Sequence, residues 1–142
     1  MRIVALVAYL MFVTPVLAQS SSDICHDWVL KKGWFGEDQI VLEKLDSLKA
    51  PEIAQVIRFS SPYTLSEYIY MRKNYGLCGN GMLYFESATW TLKDGELYFD
   101  VKGGHFAQDK FHYKIVYTID SWSGDKLVLK KKKVLLSEVK EF

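Results

Sequence analysis

The dipeptide Asp94-Gly95 stands in the middle of an alternating tract over residues 88–101 and restricts how that tract can fold. A two-residue hairpin loop of type I′ needs positive φ at both central residues, which Asp tolerates and Gly accepts freely. Folding the chain at this turn pairs Trp90 with Phe99, and a slip of one residue would mix the polar and apolar faces. One predicted face carries Ala88, Trp90, Leu92, Leu97, Phe99 and Val101, and the other carries Thr89, Thr91, Lys93, Glu96, Tyr98 and Asp100.

The same alternation recurs on both sides of this hairpin and predicts further strands. Upstream, strands are predicted at residues 28–32, 52–59 and 63–71. The segment 38–51 fits helical spacing as well as a strand in "QIVLEK", and we choose the strand because everything after it is antiparallel. Downstream, a turn at residues 121–125 separates two strands. Their inward residues are Tyr113, Ile115, Tyr117, Ile119, Leu127 and Leu129.

About eight amphipathic strands with short turns predict an all-β fold, an antiparallel up-and-down barrel, because closure removes the exposed edges. The strand "DWVLKKGW", the hairpin "ATWTLKDGELYFDV" and the closing pair "YKIVYTID…DKLVLKK" carry a resemblance to a known group. The chain resembles the small bacterial lipocalin-like domains of the calycin group over most of its length after residue 18. This resemblance implies that the interior binds a small hydrophobic molecule. The candidate ligand-binding residues are Trp90, Leu92, Leu97, Phe99, Tyr113, Ile115 and Tyr117.

The inward residues also allow a barrel without a ligand. Barrels of eight strands are either just filled by side chains or just wide enough for one small ligand. Large inward residues such as Trp90 and Tyr117 would fill a shortened barrel. The chain would then be an extracytoplasmic protein-interaction or inhibitor domain that works through its loops and outer face. An exposed aromatic patch around Trp34-Phe35 or Trp122 would favour this second function.

The N-terminal residues predict export. Arg2 precedes an apolar run at residues 3–13, and the small-residue segment 16–18 follows, which is the order of a secretory signal cleaved after Ala18. An uncleaved anchor is the alternative, but the run is shorter than the roughly 20 residues that span a bilayer. We therefore expect a signal peptide at 1–18 and one periplasmic or secreted domain at 19–142, without a membrane span.

The charge balance argues against nucleic acid as a partner. The chain has 18 Lys and Arg against 17 Asp and Glu, and loss of Arg2 with the signal leaves 17 of each. A mature chain without net charge has no basic field to attract a phosphate backbone. The run Lys130–Lys133 is interpreted as a solvated strand end or edge.

The two cysteines, Cys25 and Cys78, allow one disulfide. Export to an oxidising compartment favours a bridge between them, and two free thiols are the alternative. A catalytic Cys78 would need a helix N-terminus, an imidazolium or a metal beside it. The segment 77–81 reads as a glycine-rich turn and offers none of these, so the disulfide is the preferred prediction.

The sequence contains no pattern typical of an enzyme. His26, His105 and His112 have no supporting cysteine cluster for a zinc site and are expected at solvated or edge positions. No nucleophile elbow, phosphate-binding loop or nucleotide fingerprint occurs. We expect no catalytic residue, no metal and no cofactor, and the sequence names no protein partner.

Overall fold

The computed structural model describes residues 20–73, 83–105 and 109–141, which form one short helix and eight strands. The elements are α1 (Ser21–Ile24), β1 (Asp27–Lys32), β2 (Gln39–Lys44), β3 (Ile53–Ser60), β4 (Thr64–Met71), β5 (Leu83–Lys93), β6 (Glu96–His105), β7 (Asp109–Trp122) and β8 (Lys126–Glu141). The predicted all-β class and closed antiparallel barrel are confirmed, and "QIVLEK" is a strand. The predicted signal peptide lies outside the described residues.

Around the barrel, neighbouring strands follow the order β1-β2-β8-β7-β6-β5-β4-β3, and β3 closes the ring on β1. The strands from β3 to β8 form a consecutive up-and-down series. The β1–β2 hairpin breaks this order, because β2 rather than β1 pairs with β8, and β1 pairs with β3. As a result β2 and β3 run in the same direction. The connection between them, the crossover at residues 45–52, returns along the outside of β1, where Leu45 packs against the cluster that contains Val29.

The β5–β6 hairpin has the predicted register. Trp90 lies opposite Phe99, Thr91 opposite Tyr98, and the turn residues Asp94 and Gly95 have φ of 53° and 75°. The faces also separate as expected, since Trp90 is 1% exposed and Tyr98 is 37% exposed. Local turn chemistry and alternation therefore determine this part of the fold.

Aromatic side chains dominate the barrel interior. The ring of Phe99 lies 5.0 Å from that of Phe35, 6.0 Å from Phe59 and 5.8 Å from Tyr117, all in edge-on arrangements. Such ring pairs are favourable beyond the area that they bury. Around these rings lie buried aliphatic residues from six of the eight strands, namely Ile40, Leu42, Ile57, Leu65, Leu97, Val101, Ile115, Leu127 and Leu129.

The connection between β1 and β2 covers one end of the barrel, here called the loop end. Phe35 enters the interior from this connection and is 4% exposed. Gly33 makes the entry possible, because its φ is +78° and an added Cβ would lie 1.9 Å from the carbonyl oxygen of Gln39. The phenol of Tyr117 accepts a hydrogen bond from Gly36 N and donates one to the carbonyl of Glu37, both at 3.0 Å. The connection is thus anchored to the barrel wall.

The opposite end, the helix end, is covered by α1, which the sequence analysis did not predict. Ser20 and Asp23 form a capping box that supports this single turn. Ile24 is fully buried in the core, and its carbonyl accepts a hydrogen bond of 2.9 Å from Nε1 of Trp28. Both ends of the barrel therefore carry a covering segment.

The aromatic patch at Trp34-Phe35 or Trp122, whose exposure would have favoured an interaction domain, is not exposed, because Phe35 belongs to the core and the two tryptophans pack against it. The structure also records Cys25 as a free cysteine, so the predicted disulfide with Cys78 is not formed in it.

Cys25 lies at the opposite end of the barrel from the strand ends that flank Cys78 in the sequence. Cys25 lies at the helix end, where its thiol donates a hydrogen bond of 3.3 Å to the carbonyl of Ser21 and burial raises its pKa. Met71 and Leu83, the strand ends that flank Cys78 in the sequence, lie at the loop end. Cys78 itself lies outside the described residues. The sequence does not reveal at which end of the barrel Cys25 lies.

Candidate functional site

The seven predicted interior residues all contribute to the packed core. Five of them are buried, and Leu92 and Tyr113 are partly buried against the same cluster. Trp90 is the member of this set that lines a described cavity, which has a volume of about 140 Å³ and lies beside Cys25 and Tyr63. Pockets for small molecules usually have at least about 300 Å³. The predicted set therefore comes together as a core, and the space beside it is small.

A larger open groove, with a volume of about 600 Å³, lies on the outer surface. Its walls are β1, the end of β2, the crossover and the turn between β7 and β8. The lining residues are Val29, Lys31, Glu43, Lys44, Leu45, Asp46, Ser47, Lys49, Ala50, Pro51, Asp125 and Lys126. We call this the crossover groove.

Hydrogen bonds fix the backbone of the crossover. Nη2 of Arg72, just after β4, donates to the carbonyls of Ser47 and Leu48 at 3.2 Å and of Ala50 at 2.6 Å. Within the crossover, Oδ1 of Asp46 accepts a hydrogen bond of 2.9 Å from Leu48 N, an Asx turn. The groove wall is therefore preorganised rather than a loose loop.

An apolar layer supports the groove from below. Val29, Ala54 and Val56 are buried outside the barrel interior, and Tyr68 packs against them. Beside this layer, Asp27 accepts hydrogen bonds from Arg58 at 2.6 and 2.8 Å and from the phenol of Tyr68 at 2.7 Å.

This ion pair also affects the protonation of Asp27. The hydrogen bond from the Arg58 guanidinium lowers the pKa of Asp27, and the bond from Tyr68 acts in the same direction. The carboxylate therefore remains charged at neutral pH and holds β1 to β3.

Charges of both signs line the groove. Four lysines stand against three acids, and two of the possible pairs are formed, Lys31–Glu43 at 3.5 Å and Lys49–Asp46 at 3.6 Å. Leu48, between two lining residues, is 87% exposed. Mixed charges beside an exposed apolar side chain suit a polypeptide better than a small apolar molecule.

Two of the three histidines, His105 and His112, pair with a carboxylate, whereas Nε2 of His26 lies 3.3 Å from Nζ of Lys44. Nδ1 of His105 lies 2.5 Å from Oδ1 of Asp109, and Nε2 of His112 lies 2.7 Å from Oδ1 of Asp100. The hydrogen bond from His105 lowers the pKa of Asp109. Across the described ranges, no three His, Cys, Asp or Glu residues come together in a way that could hold a metal ion.

The sequence analysis missed the crossover groove because no local motif marks it. The sequence feature that could have indicated the groove is the continuous apolar run Trp28-Val29-Leu30, because a strand with one face in water should alternate between apolar and polar residues. Trp28 faces the core and Val29 is buried outside it, so the crossover supplies the cover that this run requires.

Comparisons with known proteins leave the chain without an assigned family. No family model matches it, and neither a curated protein nor a solved structure does so. Among the described residues, no helix is both long and apolar enough to cross a membrane. The closed antiparallel barrel is compatible with a calycin-like fold.

Proposed function

We propose that the protein is an exported interaction domain that binds a polypeptide partner in the crossover groove. The observation that carries the proposal is the interior packing around Phe99, where rings from β3, β7 and the β1–β2 connection meet edge to face. A barrel filled in this way has its functional surface on the outside.

Three properties of the groove support a polypeptide as the partner. Arg72 fixes the groove backbone, which lowers the entropy that is lost on binding. Lys126 lines the wall without an ion pair to an acid among the described residues and is available to a carboxylate of a partner. The side chain of Leu48 is exposed and can contact an apolar side chain of a partner.

Export remains part of the proposal on the strength of the N-terminal sequence. The order of Arg2, the apolar run and the small residues before Gln19 supports it. The role of an extracytoplasmic interaction domain fits both the N-terminal sequence and the filled barrel.

Carriage of a small hydrophobic molecule is the competing function, because the lipocalin resemblance implies it. The space available for such a ligand beside Trp90 is about 140 Å³. Titration of the purified protein with the apolar fluorophore N-phenyl-1-naphthylamine separates the two functions. The proposal expects no saturable binding, and saturable binding that competes with a fatty acid would contradict it.

A photocrosslinking experiment tests the groove directly. A benzophenone amino acid replaces Leu48 in one variant and Tyr98, exposed on the β5–β6 hairpin, in the control. We expect a discrete protein adduct from the extracytoplasmic fraction of the host at position 48 and none at 98. Lys126→Glu in the position-48 variant should reduce the adduct. Equal labelling at both positions, or none, would refute the assignment of the groove.

A further inference from the structure

The second half of β8 forms an open edge of the sheet. β8 pairs with β7 from Leu127 to Glu141, with β-bulges at Lys132 and Leu135, whereas its pairing with β2 covers only Lys126–Lys130. Lys131 N extends that side by one hydrogen bond of 2.8 Å to the carbonyl of Asp38. Beyond this point, no strand among the described residues pairs with the free side of β8. Such an edge presents backbone N–H and C=O groups in the geometry that another strand needs.

The open edge is also apolar. Val134, Leu135 and Val139 are 43%, 53% and 53% exposed, and they are three of the seven large hydrophobic residues exposed in the described part of the chain. Val134 and Val139 lie opposite Ile115 and Phe111 of β7, whose side chains are buried, so this face of the sheet becomes exposed where β8 leaves β2. An uncovered edge with exposed apolar residues is a site for strand addition.

Lysines usually protect an edge from such pairing, and two of those in β8 are already engaged. Lys131 forms an ion pair of 2.7 Å with Asp38, and Lys132 forms one with Glu96. Lys133 and Glu138 have no ion-pair partner among the described residues. A free cation and a free anion thus stand on the same edge strand, on either side of the apolar residues.

We propose that β8 pairs in antiparallel fashion with β8 of a second copy of this chain. Lys133 and Glu138 are equally distant along the chain from a point between Leu135 and Leu136. The bulge at Leu135 leaves both on the same face of the sheet, opposite Val116 and His112 of β7. A two-fold axis at that point places Lys133 of each copy opposite Glu138 of the other and brings the leucines together. The arrangement is self-complementary, as a two-fold dimer requires, and each ion pair occurs twice.

The geometry favours a second copy over an unrelated peptide. A peptide would have to supply its own acid and base at the matching spacing, whereas β8 carries both. Because the pairing uses β8 and not the crossover groove, it is independent of the proposed polypeptide site. Both surfaces are available in one molecule.

Charge exchange tests this pairing. Sedimentation equilibrium of the exported chain, over a range of concentrations, compares wild type with Lys133→Glu, Glu138→Lys and the double variant. Each single change places like charges opposite each other twice and should raise the dimer dissociation constant about tenfold or more, which corresponds to 1.4 kcal/mol. The double variant should restore the dissociation constant, because it exchanges the charges without losing the pairs.

Two further measurements complete the test. Leu135→Asp should leave a folded monomer, verified by circular dichroism, whereas Leu48→Asp, at an exposed leucine away from β8, should leave the dimer unchanged. High salt should weaken the wild-type dimer. A wild type that is monomeric at every concentration, a dimer insensitive to Leu135→Asp, or a double variant as weak as the single ones would overturn the proposal.

Discussion

Replacement of Trp90 by alanine tests how tightly the barrel interior is packed. Trp90 is 1% exposed, and its ring lies 5.4 Å from that of Phe59 and 5.7 Å from that of Tyr63. Its Nε1 also donates to the carbonyls of Ser60 at 3.3 Å and Thr64 at 3.2 Å.

The cost of this replacement follows from these contacts. Buried aromatic residues replaced by alanine cost about 3–5 kcal/mol, with larger values where the surroundings cannot collapse. A closed sheet resists collapse, so we expect about 4 kcal/mol for Trp90→Ala. Trp90 lies next to the junction of β4 and β5, which pair through Thr64 and Thr89 alone in the described residues.

Urea unfolding followed by circular dichroism measures this loss. The matched control is Tyr98→Ala, in the same hairpin but on its outer face, which should cost less than about 1 kcal/mol. Both variants should keep the wild-type m-value, the slope of the unfolding free energy against urea concentration. A shift of the midpoint then measures a change in stability. A loss below about 1.5 kcal/mol for Trp90→Ala, or a loss equal to that of the control, would refute a closely packed interior.

Two further predictions concern titratable groups. Tyr117→Phe removes the phenol that anchors the β1–β2 connection and should cost about 1–2 kcal/mol. Burial raises the pKa of Tyr117 to about 12, so this phenol's contribution is complete below about pH 10 and is lost as pH rises through the folded pKa. Urea melts of wild type and Tyr117→Phe should therefore converge in alkali, and a constant difference would contradict this. Asp27→Asn should cost about 1 kcal/mol at neutral pH. Because the Arg58 hydrogen bond lowers the pKa of Asp27, that loss should vanish in acid melts as pH falls below the ordinary value of about 3.9 and through the folded pKa. A loss that persists in acid would show that the carboxylate charge is not responsible.

The hairpin was predictable because its information is local. Asp94 and Gly95 specify the turn, and the alternation around them specifies which side chains face inward. The strand order was not predictable in the same way. Alternation shows which face of β2 is buried, but the side chain of Ile40 would be buried equally well if β2 paired with other strands. Its pairing with Leu129 depends on the whole barrel.

In the candidate site, too, local features were predictable and long-range features were not. The pattern identified the interior residues correctly, Trp90 and Phe99 among them, because inward orientation is a local property. Whether space remains between them depends on Phe35, which enters from a connection without alternation. The crossover groove depends on a long-range path of the chain, and Arg72 fixes that path from a position far along the sequence.

The pairing of β2 with β8 affects the order in which the chain can fold. Gln39–Glu43 is synthesised early, and its partner Lys126–Lys130 comes near the C-terminal end of the sequence. Closure of so long a loop costs entropy before any contact compensates for it, and folds dominated by such contacts form slowly. Until β8 is present, the ring is incomplete and the inner face of the sheet is in water. If the chain is exported as proposed, the barrel cannot close before most of the chain has crossed the membrane.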